Sequence, residues 1–139
     1  MAVVKNIIDG SLKIDANNTI TNCTLNVTGV ISTSLNSYYT ITGDTVCLFI
    51  PAFNGSSNTS DFIYIQIPNE IVPVDRQFIN GLLASDDSGV VNCVLNLESE
   101  SNSLKLYSMK NYLLSNFTTS TTGSFNLINS IYIFYQINN

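Results

Sequence analysis

The segment TVCLFIPAF, residues 45–53, is dense in β-branched and aromatic side chains and reads as a strand. Strand geometry sends neighbouring side chains to opposite faces, so Val46, Leu48 and Ile50 share one face, and Cys47, Phe49 and, at the end, Pro51 share the other. Both faces are apolar. The domain's own core can cover one of them, and what covers the second decides whether the chain stands alone or assembles.

The pattern recurs. In DFIYIQI, 61–67, Ile63, Ile65 and Ile67 oppose Phe62 and Tyr64; in SIYIFYQI, 130–137, Ile131, Ile133 and Tyr135 oppose Tyr132, Phe134 and Gln136. A third layer, an exposed patch or another subunit would each answer the question. A β-chain of 139 residues has one domain's worth of material and rarely builds three layers. Large exposed apolar patches are rare on soluble monomers. The reading is therefore an obligate oligomer, set against the plainer alternative of a thick monomeric sandwich. Phe49, Tyr132, Phe134 and Tyr135 are the interface candidates, since tyrosine combines contact area with a polar tip.

Composition agrees. Charged residues make up 11% of the chain, against about 25% in an ordinary domain, so Asn, Ser and Thr must supply the surface polarity. Scarce charge is also what interface cores show. The formal net charge of −5, with only five Lys plus Arg, argues against nucleic acid and against anionic membrane surfaces. No apolar run reaches the ~20 residues of a spanning helix, and AVVKNIID after Met1 lacks a signal-peptide core.

Strand signals fill the chain and no window shows a helical period. VVNCVLNLE (90–98) alternates most clearly, with Val91, Cys93, Leu95 and Leu97 on one face and Asn92, Asn96 and Glu98 on the other. TITNCTLNVTG (19–29) alternates too, and SLKID (11–15), YYTIT (38–42), QFINGLLAS (77–85) and SLKLYS (103–108) join the segments above, giving eight or nine strands. Gly43-Asp44 and Asp86-Asp87-Ser88-Gly89 read as hairpin turns, NGSSNTS (54–60) and SNFTTSTTGS (115–124) as loops. YSMKNYLLSNF (107–117) fits either a strand end or a short helical turn. Many short strands between turns predict an antiparallel β-sandwich or jelly roll. The simpler, Asn/Thr-rich residues 1–35 read as a lead-in strand or stalk remnant, and 36–139 as the sandwich domain.

Catalysis has little to work with. The chain has no His, which removes Ser-His-Asp and Cys-His nucleophiles. Asp86-Asp87 suits a turn, Asp75-Arg76 a local ion pair or a turn, and Glu98 and Glu100 a polar strand end rather than a glycosidase pair. No metal-ligand spacing or phosphate loop appears, so neither a metal, a cofactor nor an enzyme is expected. Cys23, Cys47 and Cys93 cannot all pair within one chain and read as reduced thiols in strands. Six Asn-x-Ser/Thr sequons follow from the composition.

At this point a family resemblance emerges. SYYTITGDTVCLFIPAF resembles the opening hairpin of the trimeric β-sandwich heads on phage and viral fibres: an aromatic, a Thr-rich strand, a Gly-Asp turn, then alternating apolar residues. DFIYIQIPNEIVPVDR is similar to the strand and Pro-containing crossover that follow, GVVNCVLNLESESNSLKLY to the later hairpin, and SIYIFYQI to the closing strand near the three-fold axis. The likeness covers residues 37–137 and extends to TNF-like and C1q-like trimers. The Asn/Ile/Tyr-rich usage suggests an AT-rich genome and, within the family, a virophage fibre head of the Zamilon type. The resemblance implies a homotrimer on the virion surface, assembled in the host cytoplasm, that attaches the particle to a host or giant-virus receptor, a glycan among the options. Contacts would come from loop residues Asn54, Ser57, Asn58, Phe117 and Thr119. A carbohydrate-binding module and a capsid or decoration jelly roll without a receptor are the alternatives.

Overall fold

The computed structural model describes residues 19–31, 33–57, 63–109, 114, 115, 117 and 124–138, with the backbone alone at 31, 33, 56 and 57. They form eleven strands: β1 Thr21–Thr28, β2 Val30–Ile31, β3 Thr33–Thr42, β4 Thr45–Ile50, β5 Phe53–Ser57, β6 Ile63–Gln66, β7 Gln77–Asp86, β8 Gly89–Leu97, β9 Ser103–Ser108, β10 Ser124–Leu127 and β11 Ile131–Gln136. All described pairings are antiparallel, in the order β11-β4-β3-β1-β6-β9-β8-β7-β10-β5-β2. The sheet is curled and fits an all-β sandwich.

One ribbon makes the curl possible. β4 runs into β5 and β10 into β11, and the two pairs are parts of one two-stranded ribbon. Phe53 faces Leu127 and Ile50 faces Ile131, so residues 128–130 oppose only 51–52. That mismatch bends the ribbon in the manner of a bulge. Pro51 sits at the corner, where a missing N–H costs no ladder bond, and the Ala52 amide donates to Ser130 Oγ at 2.9 Å instead. The ribbon thus reaches both ends of the sheet, β11-β4 at one and β10-β5 near the other.

The concave face holds a single core. Val46, Leu48, Ile50, Ile63, Ile65, Leu95, Leu97, Leu104 and Leu106 alternate into it from the central strands. Between Pro68 and Pro73 a short 3-10 turn, Asn69–Ile71, drops Ile71 into the same core. Hairpins close as the turn residues dictate: Thr42 faces Thr45 around Gly43-Asp44, with Gly43 at φ 61°, and Asp86 faces Gly89, with the Asp86 carboxylate accepting from the Ser88 amide and hydroxyl.

Parts of the sequence reading gain detail. β1 pairs with both β3 and β6, so Thr21–Thr28, within the expected lead-in strand, is a strand of the sheet. Residues 54–57 of the expected polar loop join Phe53 in strand β5, and 124–127, beginning at the last residue of the second expected loop, form β10; short polar strands carry no apolar alternation to announce them. For Asp75-Arg76, the chain bends at 74–75, and Arg76 makes its ion pair with Glu98 at 3.2 Å. The expected strand SLKID lies outside the described residues, as do residues 110–113.

Candidate assembly surface

The doubly apolar segment now has its answer. Val46, Leu48 and Ile50 are fully buried, while Cys47 and Phe49 stay half-exposed on the convex face. No layer of the described chain covers that face. Instead β4 is flanked by β3 and β11, whose side chains lean over it.

Register explains the grouping. Tyr132 faces Phe49, Phe134 faces Cys47, and Thr40 faces Cys47 from the other side. Tyr38 extends the Phe49 row on β3. Its ring stacks on Phe49 at 5.1 Å and 17°, and Phe49 meets Tyr132 at 5.0 Å and 43°. The Tyr38 and Tyr132 hydroxyls close the group with a 2.6 Å hydrogen bond, which holds the Tyr38 phenol above its ordinary pKa. Beneath, Ser37 Oγ donates to the Phe49 carbonyl and anchors β3 to β4. Tyr132 is 52% exposed and Phe134 60% exposed, both on β11, the outermost strand. Exposed aromatic rings on an outermost strand, whose described backbone partner outside β4 is the Val74 amide donating to the Gln136 carbonyl, are an adhesive surface of the kind soluble monomers avoid.

The interface candidates divide. Phe49, Tyr132 and Phe134 lie together on this face. Tyr135 does not: alternation turns it inward with Ile133 and Ile137, it is 3% exposed, and its hydroxyl donates to the Ile71 carbonyl at 2.7 Å. Burial pushes that phenol well above its ordinary pKa. Tyr135 is a core residue whose polar tip is satisfied inside the subunit. Tyr38 was missed, although its alternation with Tyr39 (5% exposed, inward) is the signal that would have found it.

The loop candidates divide too. Asn54 is exposed and lines a cleft of about 360 Å³ with Ala52, Phe53, Ser85, Asn126 and Leu127. Phe117 is not on the surface at all. It is 1% exposed and meets Phe125 edge-on at 4.6 Å and 70°, so the loop that was expected to offer it to a receptor instead plugs the core with it. The Ser57 backbone pairs with Val30. The Ser57 side chain, Asn58 and Thr119 lie outside the described residues.

All three cysteines are unpaired. Burial raises the Cys23 and Cys47 thiols and pushes Cys93 up to about 12. Such thiols are protonated hydrophobes rather than nucleophiles. Comparison with protein-family models and with curated proteins finds no match.

Proposed function

We propose that this chain is the head of a homotrimeric viral fibre, a jelly roll that attaches the particle to a host or to a larger virus. The observation that carries the reading is the row Tyr38–Phe49–Tyr132 with Phe134 beside it, an aromatic surface on the edge-strand side of the sheet that the described chain leaves uncovered. Copies of the chain arranged about an axis would bury it, and aromatic side chains are what interface cores favour. The ribbon topology supports the jelly-roll assignment, because a two-stranded ribbon bent around a core is how that architecture forms. Attachment follows from the fibre resemblance of the sequence, and the exposed Asn54 cleft supplies amide groups suited to a polar receptor. Three heads on one shaft would multiply weak single contacts.

Light scattering on the purified chain at micromolar concentration tests the assembly, with three times the 15.2 kDa chain mass expected. A stable monomer overturns it. Immunogold labelling of particles then tests the placement: gold at fibre tips is expected, and gold flush with a shell rejects attachment in favour of a capsid role.

A further inference from the structure

The sequence holds two Asn-Gly dipeptides, and the fold treats them in opposite ways. By composition, Asn54-Gly55 opens a polar loop while Asn80-Gly81 lies inside a strand. In the structure Asn54 and Gly55 are ladder residues of β5, facing Asn126 and Phe125 on β10. A Cβ built on Gly55 would come within 3.0–3.2 Å of the Val30 side chain, so this backbone is boxed in. Asn80 and Gly81 fall instead in the register shift of β7. Ile79 faces Leu95 and Leu82 faces Cys93, which sets both residues opposite Val94 alone. Gly81 takes φ 93°, and a Cβ there would meet nothing within 4 Å. Asn80 is exposed and, with Gly81 and Asn92, lines a cleft of about 250 Å³.

We propose that Asn80 is a site of spontaneous deamidation, in which the side chain closes on the next backbone nitrogen. The Gly81 nitrogen, once hydroxide has taken its proton, attacks Asn80 Cγ. A cyclic succinimide forms, and the side-chain nitrogen leaves as ammonia with a proton from water. Water then opens the ring at either carbonyl, giving aspartate or isoaspartate; the sum is amide plus water to carboxylic acid plus ammonia. Closure requires the glycine nitrogen to turn out of an extended backbone towards the side chain. Glycine has no Cβ to obstruct that approach and tolerates the conformations on the way. At Asn80 the register shift interrupts the ladder, whereas at Asn54 the pairing with β10 and the Val30 side chain hold the backbone until it opens locally. Either product places a carboxylate in the bulge. Isoaspartate also routes the main chain through one extra carbon, just before the Gly81 carbonyl and the Leu83 amide that Asn129 binds together. The modification therefore loosens the ribbon corner as the molecule ages. This inference stands apart from the attachment reading.

The test is incubation of the folded full chain in heavy-oxygen water at mildly alkaline pH, then digestion and tandem mass spectrometry. The heavy oxygen marks products formed before digestion. A urea-unfolded sample, in which both Asn-Gly sites have lost their structure, supplies the reference ratio of the two rates. Relative to that ratio, Asn80 in the folded chain is expected to react faster than Asn54 by at least about tenfold, and both rates rise with hydroxide concentration. The modified chain, separated by anion exchange, is expected to unfold at lower urea concentration than the unmodified chain. N80S, which has no amide to lose there, is expected to keep its urea midpoint through the same incubation. Folded-chain rates in the same ratio as the unfolded ones, or an intact Asn80 where the unfolded chain reacts, overturns the site. A modified chain as stable as the unmodified one overturns the loosening. The wild-type comparison of the two sites decides even where N80S folds poorly.

Discussion

The hydroxyl oxygens of Tyr38 and Tyr132 meet 2.6 Å apart although the residues are separated by 94 positions in sequence and strand β4 runs between theirs. Phe49 fills the space beneath them, 5.1 Å from one ring and 5.0 Å from the other. The closing strand is therefore tied to the opening hairpin on both faces, by Ile133 and Tyr135 within the core and by this aromatic bridge outside it. The outer tie is exposed. In a lone subunit an exposed hydrogen bond adds little, whereas under a neighbouring subunit the same rings become a desolvated contact.

That difference makes the bridge a test of assembly. Y132S combined with F134S removes the two most exposed rings of β11 without touching Ile133 or Tyr135. The variant is expected to elute and scatter as a folded monomer, with its β-type circular dichroism kept and unfolding concentration-independent. A trimer that survives both substitutions would place the interface elsewhere on the subunit.

Phe117 separates core from receptor chemistry. Its ring is fully enclosed against Phe125, so F117A should destabilise the fold by about 3–5 kcal/mol, the usual loss for a large aromatic removed from a core. N54A, at an exposed position, should stay within about 0.5 kcal/mol of wild type. Urea unfolding of the two variants checks the pair. A stable F117A would mean that the loop, not the core, owns this residue.

What the sequence made legible follows from side-chain periodicity. Val46, Leu48, Ile50, Cys93, Leu95 and Leu97 are legible as the buried face because period-2 alternation is a local property of the chain. Alternation gives the face but not what lies over it, so it leaves Tyr135 open to an interface role: only the distant Ile71 carbonyl shows that its hydroxyl is satisfied inside. Strands β5 and β10 were hidden for a different reason. Gly55, Ser56, Ser57, Ser124 and Asn126 have turn-like composition, and they are held as strands by ladder bonds to partners remote in sequence. Lys105 and Asn96 sit nine residues apart and look unrelated until the β8–β9 register sets them opposite each other.

Alkaline pH should loosen the fold. Burial pushes the Cys93 thiol from 9.0 up to about 12 and raises the Tyr135 phenol above 10.0. Both groups fold in their neutral forms, so above the unfolded-state pKa the unfolded chain has fewer protons bound than the folded one, and unfolding gains. The contribution of Cys93 is complete below pH 9 and is lost progressively as pH rises towards about 12, at up to about 1.4 kcal/mol per pH unit. Urea midpoints should fall from pH 8.5 to 10.5, and C93A should flatten the first part of that slope. A flat wild-type profile would mean that neither group is shielded from water.

The last prediction concerns the corner of the ribbon. β7 carries a register shift between Ile79 and Leu82, with Gly81 at φ 93°, a conformation that L side chains rarely adopt. Asn129, in the corner between β10 and β11, patches the break: its Oδ1 accepts from the Leu83 amide at 2.7 Å and its Nδ2 donates to the Gly81 carbonyl at 3.2 Å. One side chain thus replaces the ladder where the strand bulges, and joins β7 to the turn that brings β11 to the far side of the sheet. N129A should cost about 1–2 kcal/mol, through a lost pair of bonds and an amide left without its acceptor. G81A should cost a similar amount for another reason, backbone strain, since a Cβ there meets nothing within 4 Å. Because the two effects share one bulge, the double variant should lose less than the sum of the singles, and a double-mutant cycle by urea unfolding measures the difference. Strict additivity would mean that Asn129 bonds to the bulge without helping to hold its shape.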